Sequence, residues 1–183
     1  MKTIYILLTR SDTVLSRMVH FVTADCYTHV SLSFDKSLQP LYSSSRKNGR
    51  TLFPAGPCRE HLQGGYYQKH GQTPCALYEL PVSDEVYWSV KQGVQQIMEN
   101  ERDYHFNIIG LLLCQLNVPY HRKRHFFCSQ FVSQVLEENG AIELPKDPTV
   151  MKPSDYMSMP ELVCRFQGRL HELIQRQPAP ACV

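Results

Sequence analysis

Between Cys128 and Leu136 the apolar residues fall at Cys128, Phe131, Val132, Val135 and Leu136. That is the i, i+3, i+4, i+7, i+8 spacing of a helix with one apolar stripe, and Asn139-Gly140 supplies its C-terminal stop. Such a stripe has to be covered by a second layer. Residues 29–34 read as a strand by period, with Val30, Leu32 and Phe34 on one side and His29, Ser31 and Ser33 on the other.

The remaining elements fit around this pair. Residues 4–8 read as a short buried strand, 35–40 as a turn, 41–45 as the hairpin partner of the 29–34 strand, and 75–80 as a further strand. A helix capped by Ser11 or Asp12 is expected to run to about Val22, with Val14, Leu15, Met18 and Val22 on one face. Another starts at Ser83, with Asp84 and Glu85 in its first turn and Val86, Val90, Val94, Ile97 and Met98 facing inward. Residues 107–116 form an apolar stretch expected to be a buried helix. A last helix is expected from Ser158, where Glu161 completes a capping box and Leu162, Val163, Phe166, Leu170 and Leu173 face inward. Residues 46–75 show no period and read as a long connection, a kind of segment that often carries function. Without regular βαβ alternation, the order is that of an α+β fold: one domain over residues 1–176 and a flexible tail over 177–183.

Length and composition agree with this. A chain of 183 residues with 43% hydrophobic and 20% charged residues is long enough for one domain with a proper core. A net charge of +2 is too small for whole-surface attraction to nucleic acid or anionic lipid, so any such binding would have to come from a local patch. No segment approaches the roughly 20 apolar residues of a membrane span, so no stable membrane anchor is expected. The apolar run near the N-terminus is five residues long and reads as a strand rather than a signal peptide, which places the chain in the cytoplasm. Seven irregularly spaced cysteines without a CxxC suit reduced thiols better than a disulfide framework.

Cys128 opens its helix, where free N–H groups and the helix dipole favour a thiolate. The same position suits a cysteine packed as a small hydrophobe. His29 is the candidate base, on a strand face that otherwise carries only Ser31 and Ser33, so that a helix could approach it closely; a solvent-facing histidine is the plainer alternative. Ser43, Ser44 and Ser45 on the hairpin partner offer a third, weaker orienting group. His121, His125 and Cys128, and the pairs Cys26/His29 and Cys58/His61, lack the paired-cysteine spacing of structural zinc, and no metal or other cofactor is expected. The basic run His121-Arg-Lys-Arg-His125 reads as a solvated connector that could otherwise dock an anionic substrate group.

Three segments carry a resemblance: Tyr27-Thr28-His29-Val30-Ser31-Leu32, then Leu41-Tyr42-Ser43-Ser44-Ser45-Arg46-Lys47, then Phe127-Cys128-Ser129-Gln130-Phe131-Val132. In order and spacing they resemble the circularly permuted branch of the NlpC/P60 papain-like superfamily, and more closely its YiiX/YycO-type bacterial members, over roughly residues 1–157. The resemblance implies a papain-like fold with an antiparallel sheet or small barrel packed against the cysteine-bearing helix. It implies a thiol hydrolase of cysteine-peptidase or amidase type, with Cys128 as nucleophile, His29 as base and Ser43 at the third polar position. Relatives often carry glutamate or histidine at that third position. Tyr27, Tyr42 and Ser129 would then lie beside an amide, peptide or acyl substrate. Acyl transfer or lipid-ester cleavage on the same fold, and a catalytically silent binding module, are the rival expectations.

Overall fold

The computed structural model describes residues 1–10, 26–46, 54–62, 67 and 70–177. The helix expected from Ser11 to Val22 and the end of the tail lie outside the described residues. Among the described residues eight strands and four α-helices follow in chain order: β1 (Lys2–Thr9), β2 (His29–Ser33), β3 (Leu41–Arg46), β4 (Ala55–Glu60), β5 (Pro74–Val82), α1 (Asp84–Glu99), β6 (His105–Phe106), α2 (Ile108–Gln115), β7 (His125–Phe126), α3 (Cys128–Glu138), β8 (Val163–Arg169) and α4 (Leu170–Arg176). Six strands form an open antiparallel sheet in the order β4-β3-β2-β1-β5-β8, and β6 and β7 make a small parallel pair. The class is therefore α+β.

β1 runs through the middle of the sheet, between β2 and β5, and its apolar run is buried on both faces. On one face Ile4, Ile6 and Leu8 join Val30, Leu32, Tyr78 and Leu80 under α1 and α3. On the other, Leu7 joins Leu38, Leu41, Leu77 and Tyr67 beneath α4. α1 presents Val90, Val94 and Met98 to the first core, and Ser83 caps it by accepting from the N–H of Val86 at 3.2 Å. α3 is buried nearly all round. Its apolar stripe faces the sheet, while Ser129 donates to the carbonyl of Met151 at 2.6 Å and Ser133 meets the Tyr156 hydroxyl at 2.6 Å. Those bonds satisfy polar groups that burial would otherwise leave costly.

Three expectations are corrected. The stretch 46–75 is not a plain connection: it contains β4, which pairs along its length with β3 at the sheet edge. Gly56 and Pro57 hide the strand from a propensity reading. An edge position tolerates the missing proline N–H, and the Tyr104 carbonyl lies 3.0 Å from where a Cβ on Gly56 would stand. Nor does a helix start at Ser158. Pro153–Ser158 is a 3-10 segment, β8 follows as the partner of β5, and the helix begins at Leu170. Residues 107–116 do form a helix, α2, but only Gly110 and Cys114 of it are buried.

Phe131 lies fully buried where α3 meets the sheet core. Phe131→Ala is expected to destabilise the protein by about 3–5 kcal/mol, read as a lower midpoint at unchanged slope in urea unfolding.

Candidate active site

The two residues singled out by sequence meet at one end of the sheet. β2 begins at His29, opposite Thr9 of β1, and the N–H of the preceding residue, Thr28, bonds the Thr9 carbonyl at 3.0 Å. α3 begins at Cys128. The peptide leading into it is pinned at the carbonyl of Phe126, which accepts from the hydroxyl of Ser44 at 2.8 Å and from the N–H of Asn107 at 3.1 Å. These bonds fix the helix start against the β2–β3 hairpin. The Cys128 Sγ lies 4.0 Å from the Thr28 carbonyl, beside the His29 side chain.

The helix does not approach from the direction expected. It packs on the Val30/Leu32 face of β2, not on the face of Ser31 and Ser33, and meets the imidazole at the strand end. The ring can therefore take one partner from each side of the sheet. Its Nε2 lies 3.1 Å from Oε1 and 3.2 Å from Oε2 of Glu60, at the end of β4. Nδ1 is then the ring nitrogen left for the thiol. An Nε2–H donated to the carboxylate leaves Nδ1 as the acceptor, the form a base requires.

Glu60 is itself held. The Tyr67 hydroxyl donates to Oε2 at 2.7 Å and the Ser45 hydroxyl to Oε1 at 2.8 Å. Both ring and carboxylate are largely enclosed, with side chains 13% and 14% exposed. Burial opposes the charge on each. For His29 the opposition is outweighed by the Glu60 carboxylate and by the hydrogen bonds of Cys128 and Glu60, so its pKa stands well above the ordinary value. For Glu60 burial is outweighed by the facing imidazolium and by the bonds from His29, Tyr67 and Ser45, which hold the carboxyl below its usual range. The Tyr67 phenol is pushed well up, by burial first and then by the carboxylate.

The orienting group is thus a carboxylate, and Ser43 stands elsewhere. Its buried hydroxyl donates to the carbonyl of Val30 at 2.9 Å. The three consecutive serines of β3 have separate duties: Ser43 braces β2, Ser44 braces the start of α3, and Ser45 braces Glu60. The residues expected beside the substrate are spent on structural contacts. Tyr27 is buried in the core. Tyr42 packs on Phe34 at 5.9 Å, opposite Leu32 and away from His29. The Ser129 hydroxyl is turned to Met151. Glu60 and Tyr67 had no periodic signal to betray them, since both fall in the stretch read as a connection.

Other thiols are placed differently. Cys75 and Cys114 are buried, and burial pushes both thiols up to about 12. Among the described residues no three His, Cys, Asp or Glu side chains converge as a metal site, and no helix is long and apolar enough to cross a membrane. Compared with models of known protein families the sequence matches none, and it matches no curated protein.

Glu60→Gln keeps the shape of the side chain and removes its charge. The His29 titration midpoint, followed by NMR, is expected well above 6.5 in the native protein and markedly lower in this variant. The sign for stability follows. The raised His29 contributes below about 6.5 and loses its contribution as pH rises through its folded value. The lowered Glu60 contributes above about 4.5 and loses it as pH falls. Glu60→Gln should therefore cost most stability between these limits.

Proposed function

We propose that this chain is a cysteine hydrolase of the permuted papain-like type, acting on an amide or peptide bond through an acyl-enzyme. The observation that carries the reading is one imidazole whose Nε2 is bonded to a buried carboxylate and which stands beside a helix-opening thiol. Three side chains in that order are what nucleophilic catalysis by cysteine requires. The resemblance of the segments around His29 and Cys128 to YiiX/YycO-type proteins supports the same reading, and Glu60 takes the role that the resemblance implied for Ser43.

In the proposed reaction His29 Nδ1 accepts the thiol proton as Cys128 Sγ attacks the substrate carbonyl carbon. The first N–H groups of α3 have no acceptor within the helix and are available to the oxyanion that forms. The tetrahedral intermediate collapses with loss of the amine, which takes the proton from His29, and leaves a thioester on Cys128. Water, giving a proton to His29, then attacks the thioester carbonyl. The acid departs and the proton returns to sulfur. Glu60 stabilises the imidazolium in both halves, and its charge makes the proton transfer from the thiol more favourable.

The second reading, acyl transfer from or cleavage of a lipid ester by the same three residues, is favoured by one observation: apolar side chains of α2 stand in solvent. Both readings pass through an acyl-Cys128 and differ in the substrate.

A panel of aminoacyl coumarylamides, thioesters and short-chain esters distinguishes them, with the acyl adduct located by mass spectrometry of the quenched protein. An adduct on Cys128 is expected, absent in Cys128→Ala, with turnover reduced about 10²–10⁴-fold in His29→Ala. Turnover that survives in Cys128→Ala would sink the proposal.

A further inference from the structure

α2 is an unusual helix for a water-exposed position. Its sequence, Ile-Ile-Gly-Leu-Leu-Leu-Cys-Gln, carries no charge, yet it turns only Gly110 and Cys114 into the core. Ile109, Leu112 and Leu116 lie at i, i+3 and i+7 on one outward face, and Val118 follows beyond the helix end. They are 50%, 48%, 70% and 45% exposed, respectively. Contiguous exposed apolar side chains of this kind mark a docking surface.

The neighbouring charges indicate what docks. The turn before β7 carries Arg122, Lys123 and Arg124, all exposed. It is tied to the strand leading into α2 by the His105 N–H, which donates to the Arg124 carbonyl at 2.8 Å. Arg124 is engaged with Asp103 at 3.5 Å, and His121 with Asp147 at 2.9 Å. Arg122 and Lys123 are the cations that remain to face outward. An uncharged apolar helix face flanked by basic side chains has the composition of an element lying flat in the interface of an anionic bilayer. A second copy of the chain is a poorer fit, because a two-fold contact through this patch would bring two basic turns together.

We propose that α2 and the Arg122–Lys123 turn seat the protein reversibly on an anionic lipid surface. The attachment is peripheral: Ile109, Leu112, Leu116 and Val118 enter the headgroup boundary and the basic side chains meet lipid phosphates. It stands independently of the reaction proposed above, but it bears on the substrate. The N-cap of α2, Asn107, donates its side-chain amide to Gln130 of α3 at 3.2 Å, so the docking helix is bonded to the helix that opens with Cys128.

Co-sedimentation with large unilamellar vesicles tests this. Binding is expected to vesicles of equimolar phosphatidylglycerol and phosphatidylcholine, at least about tenfold weaker to phosphatidylcholine alone, and weaker again in about 0.5 M salt. The triple variant Ile109→Ser/Leu112→Ser/Leu116→Ser and the double variant Arg122→Glu/Lys123→Glu should each lose about tenfold or more in vesicle binding. All five positions are exposed, so native circular dichroism and unfolding midpoint are expected in both variants. Cys128→Ala should bind vesicles like the native chain, which separates failure of this proposal from failure of the reaction. Absence of binding to anionic vesicles, binding that both variants retain, or a dimer in sedimentation velocity that the triple variant abolishes without any vesicle binding would each overturn it.

Discussion

The contact between His29 and Glu60 is the constraint around which this fold is arranged. Neither side chain would be stable as an enclosed charge alone, because removal from water costs several kcal/mol per ion. Together they reach a stable state only because the remaining capacity of the carboxylate is filled, by Tyr67 on one oxygen and Ser45 on the other. That requirement reaches back into the sheet. Glu60 must end a strand paired with β3, and β4 must pass close enough to the chain before β6 that a side chain at position 56 would meet the Tyr104 carbonyl. Pro57 is acceptable there because β4 is an edge strand, with one side free of ladder bonds.

The other half of the site depends on α3 being held on several sides at once. A helix fixed by its apolar stripe alone could rotate or slide by a fraction of a turn and carry its first residue away from the imidazole. Here Ser129, Ser133 and Gln130 each bond a different segment, and the Phe126 carbonyl just before the helix takes two donors. Buried polar networks of this kind specify one arrangement when every member is satisfied. They set the position of Cys128 relative to a strand that starts at His29, across about 100 residues of intervening sequence.

How much of this was legible in the sequence follows from which signals are periodic. α3, β2 and α1 announce themselves through spacing and β1 through its apolar run, while the pairing of Cys128 with His29 was expected from the order of their two elements together with the family resemblance. β4 was not, because its glycine and proline are explained by tertiary facts, an edge and a close approach, that no local pattern encodes. The same gap hid Glu60, and it drew the third role to Ser43, whose place on β3 was right for a different duty. β8 misled in the opposite sense: Leu162, Phe166, Leu170 and Leu173 sit at helix-like spacing across a strand and a helix that bury them in two separate cores. The approach of α3 to the Ser31/Ser33 side was also inferred from alternation, whereas the helix packs on the Val30/Leu32 face and meets His29 only at the first residue of the strand.

α2 shows a further limit of reading burial from composition. An uncharged apolar octet is expected inside, and the usual reason is sound, since exposing such side chains forgoes about 25 cal/mol for each Å² left in water. A chain that leaves Ile109 and Leu112 of this helix, and Leu116 and Val118 just beyond it, in solvent while α3 beside it buries serines and a glutamine has not run short of core; it has placed polar groups inside to fix the helix carrying Cys128 and apolar groups outside on the helix bonded to it. The two inversions are joined at Asn107, which caps α2 through the Gly110 N–H at 2.9 Å and reaches Gln130 with the same side chain. The outer face of α2 is therefore tied to a buried amide pair two residues from Cys128. That bond is the physical link between the exposed apolar face and the helix that carries Cys128.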